Sequence, residues 1–336
     1  MKRNVQMKRR MCMNMFVILG AFHIIPVGID NTVRVNVQVN DDAGMPVKNA
    51  MVSAGTRRDR IDLWTNSSPG HRSVNEKTDK KGRVSLVFPC YSGHFRLAVS
   101  ADGYYTEVPD KFSFKTSGTG FFTPNLAEYE KSITVTLKKK KNPIPMIARG
   151  FPRKRGRYFA LKQGHGTYAY DFEMCDLLPP YGNGKIADIS IDAYLVMTNG
   201  GYICRGSLIF NAGGAYKAIK HKTSDFKSIY CADTNACFKT SFPFVEYCGN
   251  NVYEYPFSPL PLLTLDEYFV FRVRETRNEK GELLSAHYGK IYGSICIGEW
   301  LDFPQAVFNP RPNDTNLEFD PERNLYHGKK ERVMIP

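Results

Sequence analysis

Hydrophobic and polar positions alternate most regularly between Val33 and Leu137. Val33, Val35, Val37 and Val39 interleave with Arg34, Asn36, Gln38 and Asn40, the two-residue period of a strand with one face in a core and the other in water. The same period returns in Val84, Leu86 and Phe88, in Phe95, Leu97 and Val99, and in Ile133, Val135 and Leu137. Asp42-Ala43-Gly44, Lys80-Lys81-Gly82, Ser92-Gly93 and Asp102-Gly103 separate these rows. Glycine accepts positive φ at a corner and aspartate hydrogen-bonds nearby backbone, so each cluster predicts a turn. Short alternating strands with frequent turns predict a seven-strand-type β-sandwich.

The second half is aromatic-rich and dense in turns. Candidate strands run over residues 158–161, 186–198, 201–210, 269–276 and 285–297. The last two form the clearest hairpin, turning at Asn278-Glu279-Lys280-Gly281. A short helix is expected within 212–222 or 225–232. The fold class expected for the whole chain is therefore all-β: the sandwich plus a second β-rich domain with little helix.

The residues of the first half carry a resemblance. The order Asp41/Asp42, Gly44, Pro46, Val47, Asn49, Ala50, Val52, then Thr78, Asp79, Gly82, then Gly103 and Tyr104 resembles the carboxypeptidase regulatory-like family. That resemblance covers about a third of the chain and implies a transthyretin-like or immunoglobulin-like sandwich without catalytic residues. Such modules act as spacers, stabilising units or adhesion units beside another domain. The polar stretch 56–77 departs from the pattern as a long insert, expected to be a solvated connection or a binding loop.

Charge sharpens the organisation. The net +13 divides into +5 over residues 1–28, +6 over 29–141 and +2 over 142–336. Much of the excess sits in the leader and in the run Lys138-Lys139-Lys140-Lys141, so a nucleic-acid interface is not expected. Lys2, Arg3, Lys8, Arg9 and Arg10 precede the apolar stretch 15–28. This pattern fits a secretory signal and is too short for a comfortable membrane span. The expected organisation is a signal peptide at 1–28, the sandwich at 29–141, a basic, proline-bearing linker at 142–157 and a β-rich domain at 158–336. The lysine run with Arg149, Arg153, Lys154, Arg155 and Arg157 reads as a solvated linker or as a patch for an anionic polymer or membrane surface. Export to the periplasm, cell surface or medium is the expected localisation, with no integral span after cleavage.

Removing the leader takes Cys12 with it. Cys90 then stands in the first domain, and Cys175, Cys204, Cys231, Cys237, Cys248 and Cys296 in the second. Six cysteines in an exported domain permit three disulfides, and Cys231 with Cys237 makes the closest candidate bridge. Cys296, within Ser294-Ile295-Cys296-Ile297, reads as a packed strand residue. No cysteine or histidine spacing suits zinc, and no nucleophile elbow or H-E-x-x-H motif is present. His165, His221, His287 and His327 stand singly. Asp188/Asp192 and Asp266/Glu267 are carboxylate pairs with the composition, though not the known spacing, of a glycosidase. Tyr168, Tyr170, Tyr253, Tyr255 and Phe257 could offer flat rings to sugars or fill a core. The proline-punctuated tail 308–321 is expected to pack over the domain surface or to fray, with a docking peptide for a partner as the alternative. No catalytic, cofactor-binding or metal-binding residue is assigned. The favoured function is a non-catalytic envelope or surface protein whose partner is an envelope protein or polysaccharide. A carbohydrate-binding protein and a hydrolase are the alternatives.

Overall fold

The computed structural model describes residues 32–57, 71–89, 94–109, 112–113, 129–149, 159–198, 201–249, 261–292, 295–297, 300–302 and 305–326. The leader, Cys90, Arg153, Lys154, Arg155, Arg157, Tyr253, Tyr255, Phe257 and His327 lie outside them, as do the side chains of Cys248 and Cys296.

Among the described residues, seven strands build the first sandwich: β1 (Thr32–Asp41), β2 (Met51–Arg57), β3 (His71–Lys77), β4 (Arg83–Pro89), β5 (His94–Ser100), β6 (Phe112–Ser113) and β7 (Tyr129–Leu137). They form sheets ordered β4-β1-β7 and β3-β2-β5-β6, with β1 and β7 running parallel from Val33 opposite Tyr129 to Asp41 opposite Leu137. The four alternating valines of β1 face Leu86, Phe88, Val52, Leu97, Val99 and Leu137 in one core. The motif residues between the strands are turn chemistry. One oxygen of Asp41 accepts from the N–H groups of Ala43 at 3.0 Å and Met45 at 2.8 Å, and Asp79 does the same for Lys81 at 2.8 Å and Arg83 at 2.9 Å. Gly82 has φ +72°, and a Cβ there would stand 2.4 Å from the Val39 carbonyl oxygen. The buried Thr78 hydroxyl donates to the Val47 carbonyl at 2.7 Å and accepts from the Ala50 N–H at 2.8 Å. The stretch 56–77 is no loop at its ends: β2 and β3 pair from Met51 opposite Lys77 to Arg57 opposite His71, a polar hairpin.

The second half is also a sandwich. Its strands are β8 (Ile147–Arg149), β9 (Phe159–Ala160), β10 (Gly164–Asp171), β11 (Asp176–Leu177), β12 (Ile189–Thr198), β13 (Gly201–Phe210), β14 (Gly214–Ile219), β15 (Ser241–Gly249), β16 (Glu267–Arg277), β17 (Leu283–Tyr292), β18 (Cys296–Ile297), β19 (Trp300–Asp302) and β20 (Gln305–Phe308). Two five-stranded sheets, β11-β10-β12-β13-β15 and β14-β16-β17-β20-β8, are joined by a small sheet β18-β19-β9. Tyr168, Tyr170, Ile191, Leu195, Leu208 and Phe210 meet Phe269, Phe271, Val273 and Phe308 between the large sheets. Phe172 stacks on Phe271 at 4.2 Å. Strand β16 is buried on both faces, because Tyr268 and Val270 pack with Tyr288, Tyr292 and Leu317 in a second cluster. The expected hairpin is β16–β17, with Gly281 at φ +78° and the Asn278 carboxamide oxygen accepting from Lys280 and Glu282.

Three expectations need correction. No helix forms in 212–222: Gly213 lies so close to β16 that a Cβ would sit 2.0 Å from the Arg272 carbonyl, and β14 pairs along β16. Nor does one form in 225–232, which docks as an irregular segment. In the described residues the sole helical element is a 3-10 turn, Pro321–Arg323, capped by Asp320. The stretch 142–157 is not a free linker in its described part. Strand β8 pairs with β20, and Ile144 bridges to Phe319. The tail is core rather than frayed, for Leu317 and Phe319 are wholly buried. Both corrections share a cause: apolar residues of the linker and the tail, Ile144, Met146 and Phe319, can leave water only against each other and β20.

Candidate functional site

Buried polar groups gather where the two sandwiches meet. A segment of the second domain, residues 223–230, is wedged between them. Its first part adds to the first sandwich through a single antiparallel bridge at Ser224. Val108 N–H donates to the Thr223 carbonyl at 3.0 Å and Asp225 N–H to the Thr106 carbonyl at 2.9 Å. Glu107 stands opposite Ser224, and Glu107 is also bridged to Val99 of β5. At the middle sits Phe226, fully buried, stacked on Tyr105 at 4.9 Å and tilted against Tyr230 at 5.2 Å.

Two ammonium groups flank that ring. Lys138, at the end of β7, lies 4.3 Å from the Phe226 centroid and donates to the carbonyls of Phe226 and Ser228. Lys290 of β17 lies 4.7 Å from the same centroid and donates to the Ser228 hydroxyl at 2.9 Å. Cation–π attraction strengthens as water is excluded. Burial nonetheless disfavours both charges. It lowers Lys138 to about 8, against the attraction of Glu318 and Asp42, and carries Lys290 well below its ordinary value, with Lys138 adding repulsion. Lys141 covers Tyr230 at 4.1 Å. The lysine run is thus in part a set of interdomain contacts, not only a solvated spacer.

Glu318 closes the other side. One carboxylate oxygen accepts from the Tyr105 hydroxyl at 2.8 Å and the Lys141 N–H at 2.9 Å, and the other from the Asn142 N–H at 2.6 Å. Burial, then the Glu318 hydrogen bond, pushes the Tyr105 phenol upward. Glu107 has no such partners. It is 3% exposed, its Oε2 and the Ser224 hydroxyl are buried without a hydrogen-bond partner, and burial followed by the charge of Asp225 raises it to about 7.

A second cluster lies inside the second sandwich. The β16–β17 register shifts after Val273, and Arg274 takes φ +54°, a bulge that re-aims its side chain. The guanidinium lies over Phe308 at 5.0 Å and binds Asp188 twice, at 2.8 and 3.0 Å, Asp171 at 3.1 Å and Glu173 at 2.5 Å. Asp171 also accepts from the N–H groups of Glu173, Met174, Lys185 and Ile186. Burial opposes its ionisation, but those N–H donors and Arg274 outweigh it and hold the carboxyl below its ordinary value. Carboxylates so saturated fasten the 171–188 loop and leave little acceptor capacity for proton transfer.

The other candidates are dispersed. Asp188 joins Arg274, whereas Asp192 faces outward, 2.6 Å from His165. Asp266 pairs with Lys222, and Glu267 caps the Thr264 N–H. His221 accepts from the Ser224 N–H, and His287 stacks on Phe308. Tyr168 and Tyr170 are each 2% exposed and belong to the core, so they offer no platform. Cys231 and Cys237 are exposed free thiols rather than a bridge. Their loop ends are pinned apart: Cys231 bridges to Asn316, while Phe238, beside Cys237, packs on Tyr216 and Arg272. Among the described residues no group of three His, Cys, Asp or Glu is placed to hold a metal ion, and no helix is long and apolar enough to cross a membrane.

No family model and no curated protein matches the chain. Among solved structures it is similar to 3-chlorocatechol 1,2-dioxygenase from Rhodococcus opacus 1CP, at 14% identity and TM-score 0.24 over 32% of this chain and 59% of that one. A streptococcal ancillary pilin aligns at 15% identity and TM-score 0.20, over 66% and 60% of the two chains. The major pilin subunit of Bacillus cereus aligns at 9% identity and TM-score 0.22, over 82% and 95%. The chain spans about three fifths of the length of the first two of these. At such scores the likenesses carry no argument, and the fold rests on the strand pairing itself.

Proposed function

We propose that the chain is a non-catalytic, exported envelope or surface protein. The first sandwich is a spacer module of the carboxypeptidase regulatory-like kind, and the second domain is the interaction module, contacting an envelope protein or polysaccharide. One observation carries this reading: the buried polar groups are spent on holding elements together. Glu318 and Lys138 fasten one sandwich to the other, Lys290 anchors the wedged segment to β17, and Arg274 fastens a loop to a strand. Polar groups tied up in such structural contacts suit a spacer better than a domain pair whose polar groups must converge on a substrate. The test is fractionation of cells producing the full chain, with and without residues 1–28. A processed chain outside the cytoplasm that needs those residues supports the reading; an intact cytoplasmic chain overturns it.

The carbohydrate-binding alternative keeps one specific support. Tyr194 is 42% exposed on the outer face of β12, opposite His165 on one side and Arg205 on the other, an aromatic ring among hydrogen-bonding side chains. Salt-resistant binding to one polysaccharide on an array, abolished by Tyr194→Ala, would put this reading first.

A further inference from the structure

We propose that the junction between the sandwiches is a proton-sensitive joint: Glu107, sealed opposite Ser224 on the strand pairing that links the two domains, keeps them docked while neutral and loosens them when charged. The geometry supplies the reasons. Glu107 lies on the first domain's side of the pairing and Ser224 on the second's. Separating the domains is what would give the Glu107 carboxyl access to water. While docked, its Oε2 and the facing hydroxyl have no partner. A buried carboxylate without a donor is costly, whereas a buried carboxylic acid is tolerable.

The charged and titratable groups around the wedge do not supply the missing partner. Asp225, the next residue along it, repels the Glu107 charge. His221, at the start of the segment, directs Nδ1 to the Ser224 N–H. Lys138, just past β7, and Lys290 from β17 are committed to Phe226 and Ser228 at the opposite end. Glu318 from the tail is taken up by Tyr105, Lys141 and Asn142. Lys141 and Asp42 act on Lys138.

The direction follows from proton linkage. Undocked and solvated, Glu107 ionises near its ordinary 4.5; docked, it holds its proton until about 7. Between those values the docked state binds the extra proton, so docking weakens as pH rises from 4.5 to 7 and is level above that for this group. Lys138 runs the other way. The docked state gives up its proton first, at about 8 rather than 10.5, so docking strengthens again as pH rises beyond about 8. The joint is weakest between the two.

Amide hydrogen exchange on the full chain reads the joint directly. The Val108 and Asp225 amides both donate across it. After correction for the intrinsic rate, their protection is expected to drop about tenfold or more between pH 5.5 and 7.5. The amides of β1 serve as the control for the first sandwich. In Glu107→Gln the drop should vanish. Protection that does not change with pH in the wild type, or a drop that persists in Glu107→Gln, overturns the proposal. Should that variant not fold, carboxyl-carbon NMR of glutamate-labelled wild type decides. Loss of the Glu107→Gln comparison then leaves the signal in contact with Ser224: titration near 7 upholds the joint, and titration below 5 overturns it.

Discussion

The two sandwiches have the same architecture but are fastened differently. In the first, the corners close through residues two to four positions apart: Asp41 with Ala43 and Met45, Asp79 with Lys81 and Arg83. In the second, the main polar fastening joins residues 86 to 103 positions apart, Arg274 with Asp188, Glu173 and Asp171. The junction reaches farther still, with Tyr105 and Glu318 separated by 213 positions. The difference teaches where each domain is vulnerable. Local turns fail one at a time, whereas a buried charge network fails as a unit, because removing one member strands the others.

The largest expected effect tests that network. Arg274→Ala should cost about 3–5 kcal/mol in urea unfolding, since it leaves Asp171 and Asp188 buried without their counter-ion. A loss below about 1 kcal/mol would mean that the second sandwich is as locally fastened as the first. Next comes a local corner of the first sandwich. Gly82→Ala places a Cβ at positive φ and against the Val39 carbonyl, for an expected cost of about 2 kcal/mol. Thermal unfolding of that variant should change in the first sandwich while near-ultraviolet signals of the aromatic second core persist. If both melt together at a lower temperature, the junction couples them more tightly than the comparison implies. Tyr105→Phe removes one hydrogen bond to Glu318 and keeps the stack on Phe226. It should cost about 1–2 kcal/mol and raise exchange at the Val108 amide. The smallest effect is expected from Cys231→Ser with Cys237→Ser. Both thiols are exposed and unbridged, so the melting temperature should stay unchanged with or without reductant. A clear drop of the wild type in reducing conditions, absent from the double variant, would restore the disulfide.

Much of the first sandwich was legible because its signals are short-range. Alternation over β1, β4, β5 and β7 marked the core face, and each Asp-x-x-Gly cluster sat at a real corner. In the second half β13 matched its expected span, 201–210, and the β16–β17 hairpin was visible through Asn278 and Gly281. Strand β10 escapes the pattern because Gly164, His165 and Gly166 break the apolar row, and β14 because the glycines at its start serve close packing, Gly213 on β16 and Gly214 on Phe238 and Lys239. Glu107, Phe226, Lys290 and Glu318 carried no sequence signal at all. A lone glutamate two residues before a proline, or one phenylalanine in a polar stretch, is indistinguishable from a surface residue until its partner segment is known.

By itself, then, the sequence determined the all-β class and the first sandwich with its corners, because alternation and turn preference act between neighbours. The tertiary structure alone decided that the linker and tail join one core, that Arg274 turns inward at a bulge, and that the two domains close over Glu107. Those outcomes depend on burial, which removes water from groups 86 to 175 positions apart and so has no local trace in the chain.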